Sequence, residues 1–234
     1  MLTNQKVVVI IPAHNEEDSI GKVINDIPKE WVSDVIVCSN NSTDKTKEVA
    51  ENAGAIVLEE YRKGYGWACI KGMQYADQMD VTPDIIVFLD GDYSDYPQEL
   101  PKVVKPIIED NKVLVIGSRA LGQKDKGSMT MPQRFGNWLS TRLMSLFYGV
   151  KYSDLGPFRA MKFDELLKLD MSEMTFGWTI EMQIKAAKYK MSSCEVPVNY
   201  KVRIGESKVS GTVKGAVMAG IEILWCIVKY KFKK

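Results

Sequence analysis

Two aspartates, Asp90 and Asp92, flank a single glycine directly after the apolar run Asp84–Leu89. Two carboxylates at this spacing can face one divalent cation, and Gly91 allows a close backbone approach. Such a cation would neutralise a diphosphate leaving group. The alternative interpretation is a surface turn with helix-capping aspartates. The position after a predicted buried strand favours the metal site, for which we expect Mg²⁺ or Mn²⁺.

Two further polar stretches begin where a predicted strand ends, as the aspartate pair does. They are Pro12–Glu17 and Ser39–Asp44. In mainly parallel sheets, ligands bind beyond the carboxyl ends of the strands. The sequence therefore predicts that three separate stretches surround one cleft.

The elements that must position these stretches alternate between apolar runs and helical patterns. The predicted strands are Val7–Ile11, Asp34–Cys38, Ala55–Leu58, Asp84–Leu89, Lys112–Gly117 and Cys194–Tyr200. Helical patterns include Gly66–Met79, Gln98–Asp110, Trp138–Phe147 and Thr179–Tyr189, whereas residues 119–137 are predicted to form a mobile loop. This alternation predicts an α/β fold with a mainly parallel central sheet flanked by helices.

The chain is predicted to form one domain, residues 1–210, followed by a C-terminal amphipathic helix and basic tail, residues 211–234. The apolar stripe of that helix comprises Val213, Val217, Ile221, Leu224 and Val228, and its opposing face comprises Lys214, Glu222 and Lys229. Such a stripe is typical of a core or a dimer interface. The aromatic side chains and the terminal lysines are also typical of a helix at a membrane surface. We therefore expect the segment to pack on the domain, a partner or a membrane.

Composition excludes several classes of protein. The net charge of +1 gives no overall attraction for nucleic acid, and the four widely spaced cysteines lack a CxxC metal pattern. We interpret them as reduced thiols of a cytoplasmic protein. The apolar runs are too short for a signal-peptide core or a spanning helix, so any membrane association is expected to be peripheral.

The ordered set of motifs resembles glycosyltransferase family 2, in its dolichol-phosphate or polyprenyl-phosphate mannose and glucose synthase branch. The matching stretches include VVVIIPAHNEE, NNSTDKT, KGYGWACIKGM, VFLDGDYSDYP, VIGSR, QRFGN, DLGPFRAM, FGWTIEMQIKAA and EVPVNYKVRIGESKVSGT. They cover nearly the whole chain in the family's order. The resemblance implies the GT-A fold of nucleotide-diphospho-sugar transferases.

The resemblance also implies roles for individual residues. It places Pro12, Ala13, Asn15 and Glu16 in the nucleoside pocket, Asn40 and Asp44 at the base and ribose, Gly64 and Gly66 in a turn near the nucleotide, and Asp90 and Asp92 at the metal. Many relatives have an aspartate where this chain has Ser39, and the Asn40 amide oxygen can accept a base N–H instead. The sole histidine, His14, is expected to line the pocket.

Further polar residues are expected to contact phosphate groups or the sugar. The resemblance assigns phosphate binding to Arg119 and Arg134, closure over the pyrophosphate to Arg203, Ser207 and Lys208, and contact with the sugar and acceptor to Glu181. Asp92, Arg119, Arg134 and Glu181 are the expected catalytic group. Asp154 is expected either to orient a sugar hydroxyl or to hold Arg159.

The resemblance implies an inverting transfer of glucose or mannose from a UDP- or GDP-linked donor to a lipid phosphate. A phosphate acceptor is already ionised and needs no general base, whereas an alcohol acceptor would need one, for which Glu181 and Asp154 are the candidates. A hydroxyl acceptor, a nucleotidyltransferase and a noncatalytic nucleotide-sugar-binding subunit are the alternatives. A dinucleotide-binding oxidoreductase is disfavoured because no GxGxxG follows the first strand.

Overall fold

The computed structural model describes residues 4–205 and 213–232. Its strands are β1 (Val7–Ala13), β2 (Asp34–Asn40), β3 (Ile56–Glu60), β4 (Ile85–Phe88), β5 (Leu114–Ser118), β6 (Arg159–Lys162) and β7 (Ser193–Pro197). Its helices are α1 (Ile20–Asp26), α2 (Thr46–Asn52), α3 (Tyr65–Asp77), α4 (Leu100–Glu109), α5 (Met131–Tyr148), α6 (Phe163–Lys168), α7 (Trp178–Lys188) and α8 (Val213–Phe232). The described strands form a sheet in the order β3-β2-β1-β4-β6-β5-β7.

Strand β1 occupies the middle of the parallel part of the sheet, and all of its residues are buried. It pairs in parallel with β2, where Ile10 lies opposite Ile36, and with β4, where Val9 lies opposite Val87. A strand covered by helices on both faces needs apolar side chains at successive positions. The continuous apolar runs therefore predicted these strands correctly, and the expectation of a mainly parallel sheet is confirmed.

Strand β6 is antiparallel to both of its neighbours and was missed by the sequence analysis. Ala160 lies opposite Val87 of β4, and Arg159 lies opposite Ile116 of β5. The strand is four residues long and has a charged residue at each end. It shows neither the alternation nor the continuous apolar run on which strand prediction relies.

Two apolar layers enclose the sheet. One contains α1, α2 and α4, with Ile20, Ala50 and Leu100 among its buried side chains. The other contains α3, α5, α7 and α8, with Met144 and Ile227 among its buried side chains. All four cysteines are free thiols, as expected. The sheet between these two layers carries the polar loops at one edge.

Helix α5 begins at Met131 and not at Trp138, so the predicted loop over residues 119–137 is partly wrong. The Thr130 hydroxyl accepts a hydrogen bond from the Gln133 backbone, and the Gln133 side chain accepts one from the Thr130 backbone. This capping box, with Pro132 in the first turn, starts the helix, and Gly149 ends it with a φ of 70°. The Thr-x-x-Gln spacing was available in the sequence but was outweighed by the glycines and polar residues around it.

Helix α8 presents its apolar stripe outward. Val217, Ile221 and Val228 of the predicted stripe are exposed, and Trp225 beside them is 64% exposed. Among the described side chains of α8, Cys226, Ile227 and Tyr230 are buried, and beside them Lys229 forms an ion pair with Glu173 at 2.6 Å. The core role considered for this stripe is therefore wrong for these exposed positions. Over residues 4–205 and 213–232, no helix is both long and apolar enough to cross a membrane.

Candidate active site

The polar loops after β1, β2 and β4 lie at one edge of the sheet, as the sequence predicts. Each loop turns through a residue with a left-handed backbone, with φ values of 54° at Asn15, 56° at Asn41 and 62° at Tyr93. Asparagine tolerates this conformation, whereas tyrosine rarely adopts it. Strained backbone is concentrated at functional sites in proteins. These three turns bring the polar loops together at the edge that the sequence predicts as the candidate active site.

Side chains join the first two loops into one wall. Thr43 donates its backbone N–H to the Asn15 side chain at 2.8 Å, and Glu16 donates its backbone N–H to the Thr46 hydroxyl at 2.8 Å. Asp44 accepts hydrogen bonds from the hydroxyl and the backbone of Thr46 and from the backbone of Glu17. Burial works against ionisation of Asp44, but these hydrogen bonds outweigh it and lower its pKa. The wall lines a cleft of about 280 Å³ whose lining includes Ile204 and Gly205.

The two aspartates after β4 are held by different parts of the chain. The Tyr65 hydroxyl donates to Asp90 Oδ1 at 3.0 Å. Ser94 donates to Asp92 Oδ1 through its backbone at 2.9 Å and its hydroxyl at 2.5 Å. Burial, followed by the neighbouring charge of Asp92, raises the pKa of Asp90. Positive charge beside the pair favours the ionised form of Asp90, and a bound divalent cation would do the same.

The donor atoms suit Mg²⁺ or Mn²⁺. Both ions prefer oxygen ligands, and Mg²⁺ is commonly held by one or two carboxylates together with substrate phosphates. In the described part of the chain, no group of three His, Cys, Asp or Glu side chains could hold a metal ion. Asp90 and Asp92 therefore fit an ion that completes its shell with water and a diphosphate.

Arg203 reaches into this edge from the segment after β7. Its Nη1 lies 3.1 Å from Asp92 Oδ2, and its Nη2 lies 2.9 Å from Glu16 Oε1. The backbone N–H of Ile204 also donates to the Asp92 carbonyl at 3.0 Å. The structure thus brings Arg203 to the cleft from a distant part of the sequence. Ser207 and Lys208, predicted to act with it, lie outside the described residues.

Arg119 is oriented by Asp154. Its Nε and Nη2 donate to the two carboxylate oxygens at 2.8 and 2.7 Å, and its backbone N–H donates at 2.7 Å. Burial opposes ionisation of Asp154, but Arg119 outweighs it and lowers the pKa of that carboxyl. The expectation that Asp154 holds Arg159 is wrong, because Arg159 is buried against the carbonyls of Gly156 and Thr179.

Comparison with known proteins decides the family. The sequence model described as glycosyl transferase family 2 matches residues 8–169, which is more than half of the chain. The chain belongs to glycosyltransferase family 2. It is therefore a transferase enzyme, and the nucleotidyltransferase and noncatalytic alternatives are set aside.

Relatives of this family 2 glycosyltransferase match along nearly its whole length. Dolichyl-phosphate hexose transferase of Haloferax volcanii is 32% identical over 96% of this chain and 96% of its own length. Undecaprenyl-phosphate mannosyltransferase of Micrococcus luteus is 27% identical over 92% of each chain. These similarities place the glycosyltransferase among relatives named for sugar transfer involving polyprenyl phosphates.

A solved structure shows the fold. Glucosyl-3-phosphoglycerate synthase from Mycobacterium tuberculosis, crystallised with Mn²⁺, UDP-glucose and phosphoglyceric acid, superposes with a TM-score of 0.76. The superposition covers 97% of this chain and 80% of that chain at 21% sequence identity. The glycosyltransferase therefore has the expected GT-A fold.

The predicted base-reading residue Asn40 is fully engaged within the glycosyltransferase. Its amide oxygen accepts from the Gly64 backbone at 2.9 Å, and its amide nitrogen donates to the carbonyls of Glu60 and Arg62. His14 Nδ1 lies 2.8 Å from the Asn40 carbonyl. The side chain of Asn40 thus fixes the loop after β3. A direct contact between its amide oxygen and the base remains a prediction without geometric support.

The glycines of the predicted nucleotide turn have a packing role. A Cβ at Gly64 would lie 2.2 Å from the Met174 carbonyl oxygen, and one at Gly66 would lie 2.0 Å from the Glu173 carbonyl oxygen. The segment before α7 therefore requires glycine at both positions. Pro12 and Ala13 are buried at the end of β1. Their place in the nucleoside pocket stays a prediction.

Glu181 lies on α7 with its carboxylate fully occupied. It accepts hydrogen bonds from Ser172, Glu173 and Tyr230, and Lys185 lies 2.8 Å away. Burial opposes ionisation, but these partners outweigh it and lower the pKa of Glu181. These contacts give Glu181 a structural role, and its predicted contact with the sugar and acceptor stays a prediction.

Arg134 lies in the first turns of α5 and is exposed, as are Met131, Phe135 and Trp138 on the same face. Among the described residues its guanidinium has no ion pair or hydrogen bond. One turn later, Asn137 donates to the Ser153 carbonyl and accepts from the Leu155 backbone. These bonds attach α5 to the segment that carries Asp154, the partner of Arg119.

Asp95 was not assigned a role by the sequence analysis. It is 1% exposed, and neither carboxylate oxygen has a hydrogen-bond partner among the described residues. Burial, then the charge of Asp90, raises the pKa of Asp95 well above its ordinary value. The Asp90-x-Asp92-x-x-Asp95 spacing was visible in the sequence, but its burial could not be inferred from it.

Proposed function

We propose that this glycosyltransferase moves glucose or mannose from a UDP- or GDP-linked donor to a polyprenyl or dolichyl phosphate at a membrane surface. The observation that carries the proposal is the outward apolar face of α8. Val217, Met218, Ile221, Trp225, Val228 and Phe232 are exposed along it. An amphipathic helix normally buries its apolar face. A helix that exposes this face suits the headgroup region of a bilayer.

Helix α5 connects this apolar face to the segment that orients Arg119. The Tyr148 hydroxyl donates to the Ile227 carbonyl of α8 at 2.6 Å. At the other end of α5, Asn137 bonds to the segment of Asp154, which orients Arg119. A lipid phosphate held by Arg119 and Arg134 would place its chain along exposed Phe135 and Trp138. This arrangement supports an acceptor with an anionic head and an apolar tail.

The state of the carboxylates favours a phosphate acceptor over a hydroxyl. Both candidate bases are engaged, Asp154 by Arg119 and Glu181 by Lys185 and Tyr230. Asp95 has no hydrogen-bond partner in the described part of the chain, and burial raises its pKa, which disfavours its ionised form. An ionised phosphate oxygen needs no base.

The comparisons support the same substrates. Two relatives are named for dolichyl-phosphate hexose transfer and undecaprenyl-phosphate mannosyl transfer. The structural neighbour was crystallised with Mn²⁺ and UDP-glucose. We carry these substrates over to this chain as the donor and acceptor classes of the proposal.

In the proposed reaction, Asp90 and Asp92 would hold Mg²⁺ or Mn²⁺, which neutralises charge on the departing diphosphate. The wall formed by Asn15, Glu16 and Asp44 would bind the nucleoside. Arg119 and Arg134 would position the acceptor phosphate for attack on the anomeric carbon opposite the diphosphate, which inverts the configuration. Catalysis then consists of positioning and charge stabilisation. The enzyme would act peripherally, on the cytoplasmic face of the membrane.

A donor and acceptor panel tests the proposal. UDP- and GDP-linked glucose and mannose are incubated with the full chain and Mn²⁺, with farnesyl phosphate, with farnesol or without acceptor. We expect nucleoside diphosphate release and a lipid-linked sugar phosphate only with farnesyl phosphate and one donor. The base of the released nucleotide identifies the donor.

Two outcomes would contradict the proposal. Transfer to farnesol at the same rate as to farnesyl phosphate would support the hydroxyl-acceptor alternative. Transfer to farnesyl phosphate that is unaffected by Arg119→Gln would exclude the acceptor site. Arg62→Gln is the matched control. Arg62 also pairs with a carboxylate, that of Glu60 in the edge strand β3, and it is not part of the proposed acceptor site.

A further inference from the structure

Arg203 forms an ion pair with one of the two aspartates expected to hold the metal. Ser94 uses Asp92 Oδ1, so Oδ2 is the oxygen of that side chain left for a cation. Arg203 Nη1 lies 3.1 Å from this oxygen. A guanidinium and a divalent cation repel each other, and both would compete for Asp92. Binding of the metal must therefore weaken or replace this ion pair.

The other two nitrogens of the Arg203 guanidinium are positioned so that Arg203 can exchange Asp92 for another anion. Glu16 holds Nη2 at 2.9 Å, so loss of the contact with Asp92 releases Nη1 and leaves Nη2 in place. Nε is buried and has no hydrogen-bond acceptor among the described residues. A buried donor without an acceptor is costly, and an anionic oxygen would satisfy it. The unused Nε and a released Nη1 offer two donors to one anion.

We propose that Arg203 is the resident cation of Asp92 in the free enzyme and couples metal binding to diphosphate binding. This inference rests on the proposed metal site of the glycosyltransferase. A divalent cation that binds alone takes Asp92 from Arg203 and leaves Nη1 without a partner. The diphosphate of the donor supplies oxygens for Nη1 and Nε, while Glu16 keeps Nη2 in place. Metal and nucleotide therefore each strengthen binding of the other by the same factor.

Titration with Mn²⁺ followed by electron paramagnetic resonance tests the coupling without catalysis. Free Mn²⁺ is measured for the full chain alone, with UDP and with GDP. In the wild type, we expect weak binding of Mn²⁺ alone and a clear increase in affinity with one nucleotide. Arg203→Gln should tighten binding of Mn²⁺ alone roughly fivefold or more and reduce the nucleotide-dependent increase by a similar factor, because coupling between sites commonly corresponds to about 5- to 150-fold.

Two control variants separate this exchange from simpler effects. Arg142→Gln removes a positive charge from an exposed position on α5 and should leave Mn²⁺ affinity unchanged. Glu16→Gln weakens the other half of the bridge but leaves Arg203 beside Asp92, so it should not tighten Mn²⁺ binding. Equal tightening in Glu16→Gln and Arg203→Gln would mean that release of the segment, and not cation exchange, controls affinity. That result would overturn the inference.

Other outcomes distinguish this inference from the proposed function. Unchanged Mn²⁺ affinity in Arg203→Gln overturns the inference, whatever the enzyme transfers. Mn²⁺ binding that survives Asp92→Asn also overturns it, because the metal then lies elsewhere. If Mn²⁺ binding depends on Asp92 and Arg203 as expected but farnesyl phosphate receives no sugar, the inference holds and the proposed acceptor is wrong.

Discussion

At the scale of single residues, the aspartate pair depends on side chains that come from three parts of the chain. Asp90 is held by Tyr65 at the start of α3, and Asp92 by Ser94 of its own loop and by Arg203 from beyond β7. Neighbours in sequence are thus positioned independently. Single substitutions can separate metal binding from stability.

Replacing Asp92 by asparagine should abolish metal-dependent turnover. Because a bound metal contributes several kcal/mol of transition-state stabilisation, we expect kcat to fall by about 100-fold or more. Nucleoside diphosphate release at saturating donor and Mn²⁺ is the measurement. Asp110→Asn, at the exposed end of α4, is the control with wild-type rates expected. Full turnover by Asp92→Asn would exclude the metal role.

Replacing Tyr65 by phenylalanine tests the support of Asp90. The variant keeps the ring but removes the hydrogen bond at 3.0 Å, and we expect Mn²⁺ affinity to fall roughly two- to tenfold. Tyr75→Phe changes a partly exposed hydroxyl on the same helix and should have no effect. If both variants bind Mn²⁺ like the wild type, Tyr65 does not position the carboxylate. Thermal unfolding of both proteins checks that the fold is retained.

At the scale of elements, α7 and α8 are joined through a buried carboxylate. Glu181 of α7 accepts from the Tyr230 hydroxyl of α8 at 2.5 Å and from the backbone of the segment before α7. The same segment supplies Glu173, which pairs with Lys229 of α8. Cys226, Ile227 and Tyr230 of α8 are buried against the domain, and these polar contacts lie beside them. The helix therefore buries one apolar face, and a second apolar face that includes Ile221 and Trp225 remains exposed.

Glu181→Gln should destabilise the protein by about 3 kcal/mol, because it removes one partner of a buried ion pair. The partners lower the pKa of Glu181 below its ordinary value, so this stabilisation is present at neutral pH and is lost as the pH falls below about 4. Urea unfolding at pH 7 and in the acidic range should show a difference from wild type that shrinks with acid. Glu165→Gln, in a more exposed ion pair on α6, is the control. Loss of turnover without loss of stability would instead favour the catalytic role.

At the scale of the whole molecule, the exposed side chains of α5 and α8 form an apolar face on neighbouring helices. Large exposed apolar patches on soluble domains mark interaction surfaces. The face includes Phe135 and Trp138 of α5 and Ile221 and Trp225 of α8. Two occupants of this face, a membrane and a second copy of the chain, can be distinguished by experiment.

Substituting glutamate for Ile221 and Trp225 together should reduce binding to anionic vesicles at least about tenfold, because each buried apolar side chain contributes roughly 1.5–3 kcal/mol. Co-sedimentation with phosphatidylglycerol-containing vesicles is the measurement. Val81→Glu changes a residue that is 63% exposed near the start of β4, at the opposite edge of the sheet, and should bind like the wild type. A wild-type dimer that the double variant dissociates, without vesicle binding, would identify a second copy as the occupant.

The sequence by itself determined the parallel part of the sheet and the edge where the polar loops meet. Strands β1, β2 and β4 are buried on both faces, so their continuous apolar runs are visible without any tertiary information. The carboxyl ends of parallel strands lie at one edge, and this placed the aspartate pair at the same edge as the loop of Glu16, to which Arg203 joins Asp92. The family could also be inferred, because its motifs are spread in order along the chain.

Only the tertiary structure decided the state of individual polar groups. Asp154 binds Arg119 and not Arg159, Glu181 is occupied within the fold, and Asn40 fixes a loop. The residues joined in these three contacts are 35, 49 and 24 positions apart, so spacing along the chain carries no record of them. The pair of Glu181 with Lys185, four residues away, is the exception. The same holds for α8, whose apolar stripe was visible but whose orientation depends on the packing of Ile227 and Tyr230 against the domain. Periodicity specifies that a helix has two faces, and the packing of other elements selects which face is buried.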